Sequence, residues 1–210
     1  MKSKRKFVDW FWVACLIGIL LLHVHIKSKY TNQLKLMRSQ NNQAYALMEA
    51  MNSERKLDGI TLPNFPLQSK SGEMLDLHSL LTTQLNVIVL TAIHGCNACR
   101  DEELRRWSAF DAQQDMVSVN LIIIDEDTSN PGSLFEAVAK ANTNSSLPTV
   151  IDIQGNIMND IGLMSNETPM VVVASKNGAV LMNYKGHFEL QDRSQQFLRL
   201  ISSITEEGIK

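Results

Sequence analysis

Two cysteines stand at C-x-x-C spacing in Cys96-Asn97-Ala98-Cys99, and a dithiol placed this way at the start of a helix has a definite chemistry. A helix N-terminus offers unpaired amide donors and partial positive charge, which together stabilise a thiolate. Cys96 is then the nucleophile that attacks a disulfide on a partner, and Cys99, one helical turn on, resolves the mixed disulfide. Cycling between dithiol and disulfide requires no cofactor. Zinc is the main competing use of such a pair, but it needs further ligands. The chain has three cysteines in all, so there is no second pair, and His94 is the only nearby candidate ligand. No metal site is expected. The third cysteine, Cys15, lies inside an apolar run, where a thiol is ordinarily an inert small hydrophobe. Reading it as an acylated lipoprotein cysteine after Val13-Ala14 would leave most of that run beyond the cleavage site.

The pair needs a rigid element before it and a helix after it, and the sequence supplies both. Val87-Ile88-Val89-Leu90-Thr91-Ala92-Ile93 is a continuous, β-branched apolar run, the pattern of a strand buried on both faces, and it ends at the cysteine motif. Residues 98–114 lack Gly and Pro, and Leu104, Trp107, Ala109 and Phe110 form an apolar stripe, so a helix starts at or within the motif. A second buried strand is predicted over 117–124. Strand, helix and strand in this order indicate a crossover in a mainly parallel sheet, an α/β class.

Around this unit the punctuation residues place the remaining elements. Pro63 and Pro66 open the domain as an extended segment, Ser71-Gly72 turns a hairpin, and residues 77–81 form a short helical turn. Pro131-Gly132 leads into a helix over 133–141, then a strand at 149–153 and a short helix at 157–163. A strand at 170–174 turns at Asn177-Gly178 into its partner at 179–184, and a final helix runs from 191 to about 204.

The whole chain sets bounds on its organisation. With 210 residues it has room for one globular domain and an appendage. Its formal charge of −2 gives no electrostatic argument for nucleic acid. The appendage is N-terminal. A basic tail over residues 1–6 precedes an apolar segment, residues 7–26, interrupted only by Asp9, His23 and His25. No small-x-small cleavage site follows, so the segment reads as an uncleaved transmembrane signal anchor with Trp10, Trp12 and the histidines near the interfaces. Lys27, Lys29, Lys35 and Arg38 weaken the charge asymmetry, yet the basic tail favours a cytoplasmic N-terminus and a domain outside, where a redox pair fits.

Residues 27–57 read as a helical stalk. Tyr30, Leu34, Met37, Asn41, Ala44, Met48, Met51 and Arg55 recur at alternating four and three spacing. Two uses of that stripe stand open: the seam of a parallel homodimer, or one amphipathic helix lying on its own domain. The globular domain is expected over 58–210.

The chain resembles the thioredoxin-like proteins of the TlpA/ResA type, membrane-tethered thiol-disulfide reductases of the bacterial cell envelope. The resemblance covers residues 60–205. It rests on Leu62-Pro63-Asn64-Phe65-Pro66-Leu67, on Gly72 and Leu77-His78-Ser79-Leu80, on Cys96-Asn97-Ala98-Cys99-Arg100-Asp101-Glu102, and on Thr168-Pro169 before a strand. The segment 132–163 is similar to that family's helix-strand-helix insertion. Such a likeness implies a thioredoxin-like fold, a central mixed sheet flanked by helices, behind an anchor in the inner or cytoplasmic membrane. The domain would be periplasmic, its substrates protein thiols and disulfides, and its electron donor a membrane protein.

The resemblance also implies two roles beyond the cysteines. Glu102 matches the family's acidic residue three positions after the second cysteine, and that spacing shares a helix face with Cys99, suiting a proton acceptor or donor. A cis-proline should face the cysteines and present the preceding backbone to the partner. Leu147-Pro148-Thr149 copies the usual local wording, but Thr168-Pro169 leads into the hairpin and final helix, so Pro169 is the choice. His94 and Gly95 join Thr168 and Pro169 as candidate substrate contacts. Gly95 stands where the family has an aromatic residue and Leu104 where it has proline, which makes the site atypical. A cationic His94 would further favour the Cys96 thiolate.

The leading expectation is a reductase of protein disulfides, with cytochrome c maturation as one setting. An oxidase or isomerase would use the same residues, because direction depends on relative potentials. A copper-binding assembly factor is the alternative from another class, since thiolates with a nearby histidine suit Cu(I). A non-catalytic assembly scaffold is a third.

Overall fold

The computed structural model describes residues 2–93, 96–111, 116–124, 130–141, 147–187 and 190–207, without the side chains of residues 2–11, 13–15, 138–141, 191 and 205–207. In chain order the elements are helix α1 (Lys2–Glu54), strands β1 (Pro66–Ser69) and β2 (Met74–Asp76), helix α2 (Leu77–Leu80), strand β3 (Leu85–Thr91), helix α3 (Asn97–Asp111), strand β4 (Val117–Ile123), helix α4 (Pro131–Ala141), strand β5 (Thr149–Ile151), a π-helical turn (Ile157–Ile161), a 3₁₀ turn (Ser165–Glu167), strands β6 (Met170–Ser175) and β7 (Val180–Lys185), and helix α5 (Gln191–Glu207).

The strands form one mixed sheet in the order β2-β1-β5-β4-β3-β6-β7. Its middle is parallel, β3 with β4 and β4 with β5, as the buried apolar runs require. The flanks are antiparallel: β6 pairs with β3, β7 with β6, and β1 with both β5 and β2. Both faces are covered. Val87, Val89, Val119 and Leu121 pack on one side with Leu104, Trp107 and Phe110 of α3 and Ile201 of α5. Ile88, Leu90, Ile122 and Val172 pack on the other with Leu57, Leu62, Phe65 and Leu77. The predicted elements recur within a few residues, with one difference in kind. The helix expected at 157–163 is a single π turn, closed by Gly162 at φ 74°.

Turn chemistry sets the last hairpin. Gly178 has φ 82°, and an added Cβ would stand 3.0 Å from both the Leu62 carbonyl oxygen and His78 Nε2. Only glycine fits that turn.

Helix α1 spans two compact units, Met1–Tyr45 and Ala46–Lys210. Within the second unit its buried positions are Ala46, Ala50 and Ser53, continued by Leu57. The sequence places the domain boundary near residue 57, whereas the contacts start the unit at Ala46. Small residues at four and three spacing give a weak hydrophobic signal yet permit close packing. The predicted stripe behaves differently: Tyr30, Leu34, Met37, Met48 and Met51 are all exposed in the single chain. The end of α1 therefore lies on its own domain through Ala46, Ala50 and Ser53, and of the two uses of the stripe it is the second, docking on this domain, that the stripe does not serve.

Among the described residues no helix is long and apolar enough to cross a membrane. The expected anchor, residues 7–26, includes 7–11 and 13–15, whose side chains are outside the described set, and so is Cys15.

Candidate active site

Cys96 immediately precedes α3, where the last residue before a helix faces the free amides of the first turn. The Cys99 backbone N–H donates to Cys96 Sγ at 3.2 Å, and the Arg100 N–H donates to the Cys96 carbonyl at 2.9 Å. The two cysteines are joined as a disulfide with their Cα atoms 5.2 Å apart. Exposure divides their roles. Cys96 is exposed while Cys99 retains 3% of its surface, so only Cys96 is open to a partner's sulfur. When the disulfide opens, the Cys99 amide is already aimed at the sulfur that would carry negative charge.

The strand opposite supplies the second half of the site. The Thr168–Pro169 peptide is cis, and it is the only cis bond among the described residues. Antiparallel pairing of Met170 with Leu90 brings this peptide to the end of β3 from which the cysteine motif departs. Thr168 is buried and its hydroxyl works twice: it accepts from the Ala92 N–H at 3.2 Å and donates to the Ser165 carbonyl at 2.7 Å. The Pro169 carbonyl accepts from the Gly186 N–H at 2.8 Å. Cys96, Cys99, Thr168 and Pro169 thus share one end of the sheet. Two other candidates, His94 and Gly95, lie outside the described residues.

Solved structures share this arrangement of elements, three of them as follows. A Chlorobium tepidum protein bearing the name thiol:disulfide interchange protein DsbE superposes with a TM-score of 0.52 at 18% identity, covering 68% of this chain and 95% of its own. DsbF of MTB, in mixed oxidised and reduced forms, gives 0.51 at 14% identity over 66% of this chain and 93% of its own. The fold is thioredoxin-like. A thiol peroxidase from Chromobacterium violaceum gives 0.50 at 16% identity over 72% and 87%. No protein-family model matches the sequence, and no curated protein matches it.

In this thioredoxin-like domain the two neighbouring glutamates of α3 part company. Glu102 accepts from Arg105 Nη2 at 2.7 Å and Arg106 Nη2 at 2.8 Å on the helix surface. The Arg105 hydrogen bond, aided by both guanidinium charges, holds its carboxyl below the usual range. Those contacts engage the group that the sequence assigns to proton transfer at Cys99.

Glu103, which sequence reasoning missed, is 2% exposed. It accepts from the Tyr184 hydroxyl, from Ser194 Oγ and from Arg106 Nη1 at 3.1 Å, while the Trp107 indole donates to Tyr184 at 3.2 Å. Burial, with the Glu103 charge second, pushes the Tyr184 phenol well above its ordinary value, so it stays a donor. An added Cβ on Gly186 would meet Glu103 Cγ at 2.6 Å and Pro169 Cγ at 3.0 Å, so the acid and the cis-proline crowd the same spot. A signal for Glu103 was present. It is four residues beyond Cys99 and four before Trp107, on the line of the buried face, and Glu102 is off that line.

Among the described residues no group of three or more His, Cys, Asp or Glu side chains could hold a metal ion.

Proposed function

We propose that this protein is a thiol-disulfide oxidoreductase that reduces protein disulfides outside the cytoplasm, tethered by its N-terminal segment. One observation carries the reading: a C-x-x-C disulfide at the first turn of α3, with its outer sulfur exposed and a cis Thr168–Pro169 peptide at the same end of the sheet.

In the reduced form the Cys96 thiolate attacks one sulfur of a partner disulfide. A Cys96–partner bond forms, the partner's S–S bond breaks, and the second partner sulfur leaves as a thiolate. Cys99 then loses its proton and attacks Cys96 Sγ. That closes the intramolecular disulfide and releases the partner as a dithiol. Two electrons have passed to the partner, and a dithiol donor at the membrane must return them. The backbone beside Pro169 orders the partner strand against Cys96, and Glu103, which shares the space beside Gly186 with the proline, positions that contact.

The tether is supported by the apolar side chains between Leu16 and Ile26, which are exposed in the single chain. That much exposed apolar surface calls for apolar surroundings. The paired cysteines of an apocytochrome c are the substrate to test first.

The test is a single-turnover reaction between the reduced protein and a protein bearing one disulfide, followed by alkylation and mass spectrometry. Transfer of the disulfide to Cys96–Cys99, and a stable mixed disulfide in the Cys99→Ser variant, are the expected results. Absence of any mixed disulfide would defeat the reading.

A further inference from the structure

The loop that delivers the cis-proline, Gly162–Thr168, is tied down by the end of α1 and the turn that follows it. Glu167 is the hub: its Oε1 accepts from Ser53 Oγ at 3.1 Å, and its Oε2 from Lys56 Nζ at 2.6 Å and from the Met164 N–H at 2.8 Å. Lys56 Nζ also donates to the Gly162 carbonyl at 2.6 Å, so one ammonium grips both ends of the loop.

A second tie runs through Lys185. Its side chain is 3% exposed, and its ammonium bridges Glu49 and the Asn166 carbonyl, the latter at 3.3 Å. Its own backbone N–H donates to Glu54 Oε1 at 2.9 Å. Such a desolvated lysine is costly unless it is paired, so this junction is a built one. Thr168 follows Glu167 directly, and its hydroxyl accepts from the Ala92 N–H just past β3, on the way to the cysteines. A displacement of the end of α1 is therefore delivered within two residues to the cis-proline.

We propose that the end of α1 and the turn that follows it, from Glu49 to Lys56, form part of the substrate site, with Glu167 as the positioning residue. The latch sets the height of the Thr168–Pro169 backbone against Cys96. Loosening it weakens capture of a peptide disulfide while leaving the chemistry of the dithiol intact. This rests on the proposed exchange reaction.

The experiment compares the full-length chain with Lys56→Met, Glu167→Gln and the conservative Lys56→Arg, using Lys70→Met in the β1–β2 turn as control. Three quantities are read: KM and kcat for a peptide disulfide, the equilibrium with dithiothreitol, and hydrogen exchange of the 162–168 amides. Lys56→Met and Glu167→Gln are expected to raise KM about threefold to tenfold. They should leave the dithiothreitol equilibrium within about twofold and speed loop exchange, with Lys56→Arg restoring wild-type values. Equal losses in KM and in the dithiothreitol equilibrium would overturn the proposal, as would unchanged KM and exchange. If the wild-type chain exchanges no disulfides, the proposed function falls, and hydrogen exchange alone judges the latch: unchanged amides overturn it and faster ones sustain it.

Discussion

Leu147-Pro148 and Thr168-Pro169 each lead directly into a strand of the same sheet, yet only the second reaches the cysteines. The difference is strand direction. β5 runs parallel to β4, with Thr149 level with Leu121, so Pro148 enters the sheet before β4 is finished, short of the end where the cysteine motif leaves β3. β6 runs antiparallel to β3 and starts opposite Leu90, which puts Pro169 at that end. Pro148 is exposed and Pro169 buried. Topology, more than the residues flanking each proline, decides which one can meet a sulfur.

The largest effect is expected at the end of the sheet that carries the disulfide. Cys96→Ser should abolish exchange with any disulfide, as judged by alkylation and mass spectrometry; residual turnover would move the chemistry elsewhere. Next in size, Pro169→Ala should lower kcat/KM for a protein disulfide about tenfold to a hundredfold through lost orientation, whereas Pro148→Ala should change it by less than about twofold. Equal effects of the two would remove the topological argument.

Glu103→Ala should cost about 3 kcal/mol in denaturant titration, because Arg106 and the Tyr184 hydroxyl lose a buried partner. Glu102→Ala, on the surface, should cost about 0.5 kcal/mol or less. Gly186→Ala drives a methyl into the space shared by Glu103 and Pro169. It should cost about 1–3 kcal/mol, readable in the same titration.

The smallest effect is one of pH. Burial tends to raise the Glu167 carboxyl, but the Lys56 and Ser53 hydrogen bonds and the Met164 amide outweigh it and hold the group below its usual range. A carboxyl depressed in the folded state contributes stability above its unfolded value, and that contribution is lost as pH falls through the folded value. Lys56→Met should therefore flatten the acid side of the stability curve relative to wild type, while leaving the neutral region parallel. An unchanged acid limb would show that the ion pair carries no linkage.

The features legible in the sequence are those written in local patterns. The β-branched run of β3, the stripe Leu104-Trp107-Phe110, the turn at Asn177-Gly178 and the C-x-x-C pair each have a period or a spacing. Pro169 was reachable because the following hairpin placed it in the topology. Ala109 shows the limit of the stripe: it follows the apolar pattern of α3 yet is exposed. What stayed hidden depends on distant partners. Glu103 is an acid on a buried face, and its acceptability comes from Tyr184 and Ser194, distant in the chain. The docking face of α1 is built from alanines and Ser53, too small to register as a hydrophobic stripe. Lys185 looks like a surface lysine until Glu49 and Asn166 are placed around it.

The direction of electron flow is read from the reduction potential of the Cys96–Cys99 pair in the full-length chain, measured by equilibration with dithiothreitol or glutathione and thiol alkylation. A reductase of protein disulfides should lie near or below about −270 mV. A value near about −120 mV would make the pair a disulfide donor and contradict the account.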